Sequence, residues 1–112
     1  MFEINGNQIR NNGHARAFRY AVGKAVPYGN LLIVLLRIPK GDATVNNICC
    51  VDASLNVVWR NERLEERFPA FRPYPFEDMF LENETLMAFD CMGRKYRIAP
   101  DTGAIQGYTV SR

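Results

Sequence analysis

The chain has 112 residues, of which 47% are hydrophobic and 23% charged, and this composition predicts one folded domain over residues 1–112. Its formal net charge of +2 is too small to indicate a nucleic-acid partner by itself. The start, MFEINGNQIR, lacks the basic and apolar regions of a signal peptide, and the longest apolar run, residues 31–36, is far short of the about 20 residues that cross a bilayer. We therefore expect a cytoplasmic protein.

The charges are distributed unevenly along the chain. Residues 1–61 carry a net charge of +4 and residues 91–112 a net charge of +3. Residues 62–90 contain eight acidic and three basic residues, a net charge of −5. Such a segment is either a set of solvated loop charges or an acidic patch that meets a basic partner.

The N-terminal quarter of the chain combines short apolar runs with turn residues. Asn5-Gly6 predicts a β-hairpin with a type I′ turn, and residues 11–14 predict a second turn. Residues 15–28 favour a strand over the alternative, a helix over residues 15–25. The pattern that favours the strand is the apolar or aromatic residue at every second position: Phe18, Tyr20 and Val22.

Residues 31–38 are apolar on both faces of an extended chain. This pattern predicts a central strand that is buried on both sides. Pro39 ends the run, since proline cannot donate to a sheet, and Lys40-Gly41-Asp42 are expected to form an exposed tip.

Residues 48–60 predict a hairpin, because two runs rich in β-branched and aromatic residues flank a polar link, and Trp59 is expected in the core. Cys49 and Cys50 are neighbours in the first run, so they would point to opposite faces and are poor candidates to bridge each other. With Cys91 the number of cysteines is odd, and no Cys-x-x-Cys spacing accompanies them. We expect three free thiols.

Residues 61–68 predict two turns of helix, with Asn61 as the N-cap and with Leu64 and Phe68 on one face. Residues 68–75 contain three prolines, which fix an extended crossing like polyproline II. We expect this to be the longest irregular segment of the chain, packed down by its aromatic side chains.

The last third of the chain alternates short apolar runs with tight turns. The predicted strands are residues 76–82, 85–90, 94–99 and 104–110. The whole chain thus predicts a mainly β fold, an antiparallel meander of twisted hairpins with at most one short helix near residues 61–68. A curved sheet, a sandwich and a partial barrel remain alternatives.

Two segments of the sequence carry a family resemblance. Ile48-Cys49-Cys50-Val51-Asp52 is followed by Val57-Val58-Trp59, and residues 96–103 read YRIAPDTG. A strand, an Asp, a turn and a strand ending in Trp resemble the blades of quinoprotein-type β-propellers. A propeller needs at least four blades of four strands, and this chain supplies about two. The resemblance therefore implies twisted antiparallel hairpins and none of the family's cofactor chemistry.

The sequence argues against catalysis. The one histidine, His14, lies in a predicted turn, whereas acid–base and nucleophilic catalysis need a positioned base. The neighbouring pairs Glu65-Glu66 and Glu77-Asp78 would face opposite ways on a strand, so neither predicts a pair that shares a proton. No glycine-rich phosphate motif and no metal-ligand spacing is present. We expect no enzyme activity, no cofactor and no metal.

The function that remains is binding. The size and β-rich style of the chain are similar to those of bacterial immunity proteins, which bind and block toxin domains. We hypothesise a non-enzymatic, cytoplasmic protein-binding domain that neutralises a toxin such as a basic nuclease, since opposite charges speed the encounter of two proteins. The predicted partner-binding residues are Glu62, Glu65, Glu66, Phe71, Arg72, Tyr74, Glu77 and Asp78.

The alternative function is that of a nucleic-acid-binding module. Arg94, Lys95 and Arg97 surround Tyr96, and basic residues interleaved with aromatic ones are typical of nucleic-acid surfaces. The competing interpretation is an ordinary strand with Tyr96 and Ile98 facing inward. A third possibility is a homodimer formed through an unprotected edge strand.

Overall fold

In the computed structural model, which describes residues 1–70 and 72–110, the chain forms three antiparallel sheets and one short helix. The mainly β fold with one helix near residues 61–68 is therefore confirmed. The first sheet contains β1 (Glu3–Asn5), β2 (Gln8–Asn11) and β3 (His14–Ala17). The middle sheet contains β4 (Val22–Tyr28), β5 (Leu31–Leu36), β6 (Ile48–Val51) and β7 (Val57–Arg60). Helix α1 (Leu64–Arg67) follows, and the third sheet contains β8 (Phe76–Glu82), β9 (Thr85–Asp90), β10 (Arg94–Ile98) and β11 (Ile105–Val110).

Each sheet is a meander in which strands that follow one another in the chain are hydrogen-bonded neighbours. Short two-residue turns make this possible. Asn12 and Gly13 both have a positive φ (48° and 83°), and so do Asn83 and Glu84 (50° and 62°), as a type I′ hairpin turn requires. Within the described residues, no helix has the length and apolar character needed to cross a membrane.

The first hairpin forms, but its turn differs from the prediction. Asn5 pairs with Gln8, so the turn residues are Gly6 and Asn7 and not Asn5 and Gly6. Of the two, only Gly6 has a positive φ (61°), whereas a type I′ turn needs two. Asn5-Gly6 thus correctly predicted a hairpin here, but the two turn residues lie one position further along the chain than predicted.

The extended structure predicted over residues 15–28 forms as two strands, β3 and β4, and residues 18–21 between them, with Phe18 and Tyr20, lie outside both strands. The alternative helix is wrong. Strand β4 lies at the edge of the middle sheet, and this position explains how it contains both a glycine and a proline. Gly23 lies where the register with β5 shifts, and Pro27 is tolerated because an edge strand has one side free of ladder hydrogen bonds.

Strand β5 contributes to two hydrophobic cores, one on each face of the middle sheet. Because successive side chains of a strand point to opposite faces, its residues divide alternately between the cores. Ile33 and Leu35 pack toward the third sheet, and Leu32, Val34 and Leu36 pack toward the first sheet. The prediction of a strand buried on both sides is confirmed, and it places the middle sheet between the other two.

The cysteines follow the same alternation. Cys49 lies in the core shared with the first sheet and Cys50 in the core shared with the third sheet. Burial raises the pKa of each of these two thiols to about 11. Cys91 is exposed, and all three cysteines are free, as predicted.

Trp59 is a core residue, as predicted, with 8% of its surface exposed. Its indole N–H donates a hydrogen bond of 3.0 Å to the carbonyl oxygen of Pro100. Gly103, in the loop after β10, has a φ of +79° and lies directly against the indole ring. The loop between β10 and β11 is thereby fixed to the end of β7.

The predicted helix is shorter than expected, and its predicted N-cap is wrong. Helix α1 spans only Leu64–Arg67, and Arg63 is its N-cap residue, without a side-chain capping bond. Asn61 is 3% exposed and instead accepts a hydrogen bond of 3.0 Å from the backbone N–H of Ile48 at the start of β6. The buried amide holds the end of the hairpin together and is not available to the helix.

The longest irregular connection among the described residues is 37–47, between β5 and β6. Residues 68–75 were predicted to be the longest irregular segment, and this prediction is wrong. Both segments are nevertheless important, because they lie opposite each other in space.

Candidate functional site

An open cleft of about 1230 Å³ lies between residues 38–46 and the proline-rich segment 72–75. We call it the loop cleft. Arg63 and Glu65, which flank the start of α1, also line it, as do Glu77 of β8 and Cys91 after β9. Four separate parts of the chain therefore contribute to one concave surface.

The side chain of Asn47 connects the two walls of the loop cleft at their base. Its amide nitrogen donates hydrogen bonds of 2.8 Å to the carbonyl oxygens of Leu36 and Phe76. Its amide oxygen accepts a bond of 2.9 Å from the backbone N–H of Phe76. Asn47 is 1% exposed, so a buried amide with satisfied polar atoms fixes the end of one loop to the start of β8.

The tip of the first wall is held by Asp42. Its carboxylate accepts a hydrogen bond of 2.7 Å from the hydroxyl of Tyr20 and one of 2.9 Å from the backbone N–H of Thr44. These hydrogen bonds, led by the one from Tyr20, lower the pKa of Asp42 from 3.8 to about 2. The ionised carboxylate therefore ties the loop to the segment between β3 and β4.

The hydrogen bond from Tyr20 predicts a pH dependence. A group whose pKa is lowered by folding stabilises the folded state above its ordinary pKa, and this contribution is lost as the pH falls through the lowered value. For Asp42 the window lies between about pH 4 and about pH 2. We expect Tyr20→Phe to raise the pKa of Asp42 toward 3.8, because the hydrogen bond that contributes most to lowering it is lost.

An NMR titration of the Asp42 carboxyl carbon measures this shift directly. Tyr28→Phe is the matched control, since Tyr28 packs against the core between the middle and third sheets. An Asp42 pKa that is the same in Tyr20→Phe as in the unmodified protein would contradict the assignment.

The second wall is held by a buried ion pair. Arg94 donates from Nε to a carboxylate oxygen of Asp90 at 2.7 Å, and the side chain of Asp90 is fully buried. The same guanidinium donates to the carbonyl oxygen of Arg72 at 3.0 Å and lies 5.5 Å from the ring centre of Tyr74. The guanidinium of Arg72 lies at the same distance from this ring. Arg94 therefore fixes the proline-rich segment to the third sheet.

The loop cleft contains acceptors that the described part of the chain leaves unfilled. Glu65 accepts a hydrogen bond of 2.6 Å from Arg63 through one oxygen, while its other oxygen is buried and has no hydrogen-bond partner there. Its own backbone N–H, and next the Arg63 side chain, lower the pKa of Glu65. Glu77 is exposed, and no hydrogen bond or ion pair engages its carboxylate among the described residues. Lys40, Arg63 and Arg72 line the same cleft, so its charge is mixed, and Glu77 is the carboxylate left open to a donor group.

The structure brings half of the predicted partner-binding residues together. The four that line the loop cleft are Glu65, Arg72, Tyr74 and Glu77. Glu62 instead accepts a hydrogen bond of 2.9 Å from the backbone N–H of Ile105, and Asp78 forms an exposed ion pair of 2.9 Å with Lys24. Glu66 is exposed near Arg63, outside the cleft lining, and Phe71 lies outside the described residues.

The residues predicted for nucleic-acid binding are divided between two faces of the third sheet. Arg94 is buried and paired with Asp90, and Tyr96 is fully buried beside it. Lys95 and Arg97 point the other way. The expected inward orientation of Tyr96 and Ile98 is confirmed, and Arg94 is not available to a surface ligand.

One wall of the loop cleft was not predicted as part of a site. The sequence indicated an exposed tip at Lys40-Gly41-Asp42 but gave no sign that it faces the proline-rich segment, about 30 residues further along the chain. Among residues 1–70 and 72–110, no group of three or more His, Cys, Asp or Glu side chains could hold a metal ion.

The described part of the chain forms three antiparallel meanders, and loops between their strands build the concave surface of the loop cleft. Residues 1–110 match the family model described as "Domain of unknown function (DUF7957)", and the chain belongs to this family. No curated protein matches the chain.

Proposed function

We propose that the chain is a non-enzymatic protein-binding domain and that the loop cleft receives a basic segment of its partner. The observation that carries this proposal is the exposed carboxylate of Glu77 in the open cleft, which no hydrogen bond or ion pair engages among the described residues. An arginine or lysine side chain of a partner would supply the missing donors.

The walls of the cleft support a binding role. Asn47 and Arg94 fix the two walls through buried hydrogen bonds, so a partner would meet a surface that is already ordered. A surface that does not reorganise loses less conformational entropy on binding. Tyr74 and the neighbouring Pro73 and Pro75 add apolar area for the stem of a long basic side chain.

The class of partner that we favour is a toxin domain, such as a basic nuclease, which this chain would neutralise as an immunity protein in the bacterial cytoplasm. The charge pattern of the chain supports this assignment. The acidic segment 62–90 contributes Glu65 and Glu77 to the cleft, and opposite potentials speed the association of two proteins. A toxin coding region directly beside the gene would be independent support.

The experiment uses a fluorescein-labelled, unstructured peptide rich in arginine and lysine, titrated with the full chain at low salt. We expect binding that weakens with added salt, and a dissociation constant at least about tenfold higher for Glu77→Lys, because attraction is replaced by repulsion. Glu3→Lys makes the same charge change on β1 and should leave the affinity within about twofold. An absence of peptide binding at low salt would contradict the proposal, and so would an equal loss of affinity in Glu77→Lys and Glu3→Lys.

A further inference from the structure

The outer face of the third sheet, which points away from the middle sheet, has an aromatic centre. Phe80 and Phe89 stack there with ring centres 5.5 Å apart and an interplanar angle of 30°. Neither ring belongs to the two cores, and Phe80 is 36% exposed. The side chains that the strand alternation places on this face are Asp78, Phe80, Glu82, Thr85, Met87, Phe89, Lys95, Arg97 and Thr109.

The charges on this face are separated by strand. Edge strand β8 carries Glu82 and also Asp78, which is already paired with Lys24 of β4 at 2.9 Å, and β10 carries Lys95 and Arg97. Strand β9 lies between them and contributes only Thr85, Met87 and Phe89 to the face. The outer face is therefore acidic on one side, apolar in the centre and basic on the other side.

This arrangement is complementary to itself. A twofold axis parallel to β9 would turn one copy over onto another, so that β10 of each copy lies over β8 of the other. Phe89 would meet its own counterpart at the axis, whereas Met87 beside it is only 7% exposed and supports the rings from below. The register, in which Phe80, Met87 and Arg97 form one row, would place Arg97 of one copy over Phe80 of the other and one row away from Glu82. In the single chain the Arg97 guanidinium lies against Gly107 of β11, so it would have to turn toward Glu82 on assembly.

We propose that the outer face of the third sheet binds a second copy of this chain in an isologous, face-to-face dimer. Each copy would contribute an aromatic centre, which meets its own counterpart once at the axis, and an opposite-charge pair, which occurs twice. This interface differs from edge-strand pairing because it uses side chains and no backbone hydrogen bonds.

A nucleic acid fits this face less well. Stacked aromatic rings beside Lys95 and Arg97 would suit bases and phosphates. However, Asp78 and Glu82 share the face, and carboxylates there would repel a phosphate backbone. The same carboxylates favour a second copy, whose basic strand would lie above them.

Sedimentation equilibrium over a range of concentrations tests the dimer. Phe80→Glu should raise the dimer dissociation constant at least about 30-fold, as expected for a central aromatic contact. Val58→Glu is the matched control, because Val58 is an apolar side chain with 50% exposure on β7 of another sheet, and it should leave dimerisation unchanged. Circular dichroism verifies that each variant is folded.

A charge exchange gives a second, independent readout. Arg97→Glu should weaken the dimer, and adding Glu82→Arg should restore it to within about threefold of the original dissociation constant. A chain that stays monomeric up to about 1 mM would overturn the proposal. A dimer insensitive to both Phe80→Glu and Arg97→Glu would also overturn it and favour edge-strand pairing. A monomer that binds oligothymidylate through Phe80 would instead favour the nucleic-acid interpretation.

Discussion

Replacing Gly103 with alanine is expected to destabilise the protein by about 3 kcal/mol. A Cβ atom at this position would overlap the indole ring of Trp59 and lie 2.9 Å from the carbonyl oxygen of Arg60. The φ of +79° adds a second cost, since this conformation is unfavourable for residues with a Cβ. Urea denaturation measures the effect as a lower midpoint with an unchanged slope.

Gly29→Ala is the matched control for this experiment. Gly29 has a φ of +59°, but a Cβ there would have open space around it. Its substitution should cost only about 1 kcal/mol, which is the backbone contribution alone. The difference between the two variants isolates the contact with Trp59, and equal losses would show that this contact is unimportant.

Asp90→Asn is expected to cost about 3 kcal/mol, because it leaves the buried guanidinium of Arg94 without its charged partner. Asp90 also accepts hydrogen bonds from the backbone N–H groups of Met92 and Arg94, at 2.9 and 3.1 Å. An asparagine can keep these two bonds through its amide oxygen. The decrease in the free energy of unfolding would therefore measure the contribution of the ion pair and not that of the turn.

The exposed pair of Lys24 and Asp78 provides the comparison. Its side chains are 42% and 62% exposed, and Asp78→Asn should cost less than about 1 kcal/mol. Asp90→Asn should also shift the NMR signals of Tyr74, since Arg94 would no longer hold the second wall of the loop cleft. Unchanged Tyr74 signals would mean that the proline-rich segment is fixed by other contacts.

The parts of the fold that the sequence predicted correctly depend on local chemistry. Asn83 and Glu84 form a turn because both adopt positive φ, and residues 76–82 and 85–90 are strands as predicted. Burial on both faces was predictable for β5 because its apolar run leaves no polar face. The order of the three sheets was not predictable, because no local sequence pattern indicates which face of the middle sheet packs against which of the other two sheets.

The residues that build the loop cleft were harder to find because they act across long sequence separations. Asn47 bonds to Phe76, and no sequence pattern singled it out; Asn61 bonds to Ile48, although the sequence predicted it as a helix N-cap. Arg94 was predicted as part of a basic surface, although its burial against Asp90 excludes that role. Polar residues that become buried have no pattern of their own in a single sequence.

The position of β5 between two cores limits what can be removed from this protein. Deleting β1–β3 would uncover Leu32, Val34 and Leu36, and with them the neighbouring Cys49 and Val51. Exposure of this large apolar surface to water would cause the shortened chain to aggregate. A working fragment would therefore need compensating polar substitutions at every second position of β5, and natural variants that lose the first sheet should be rare.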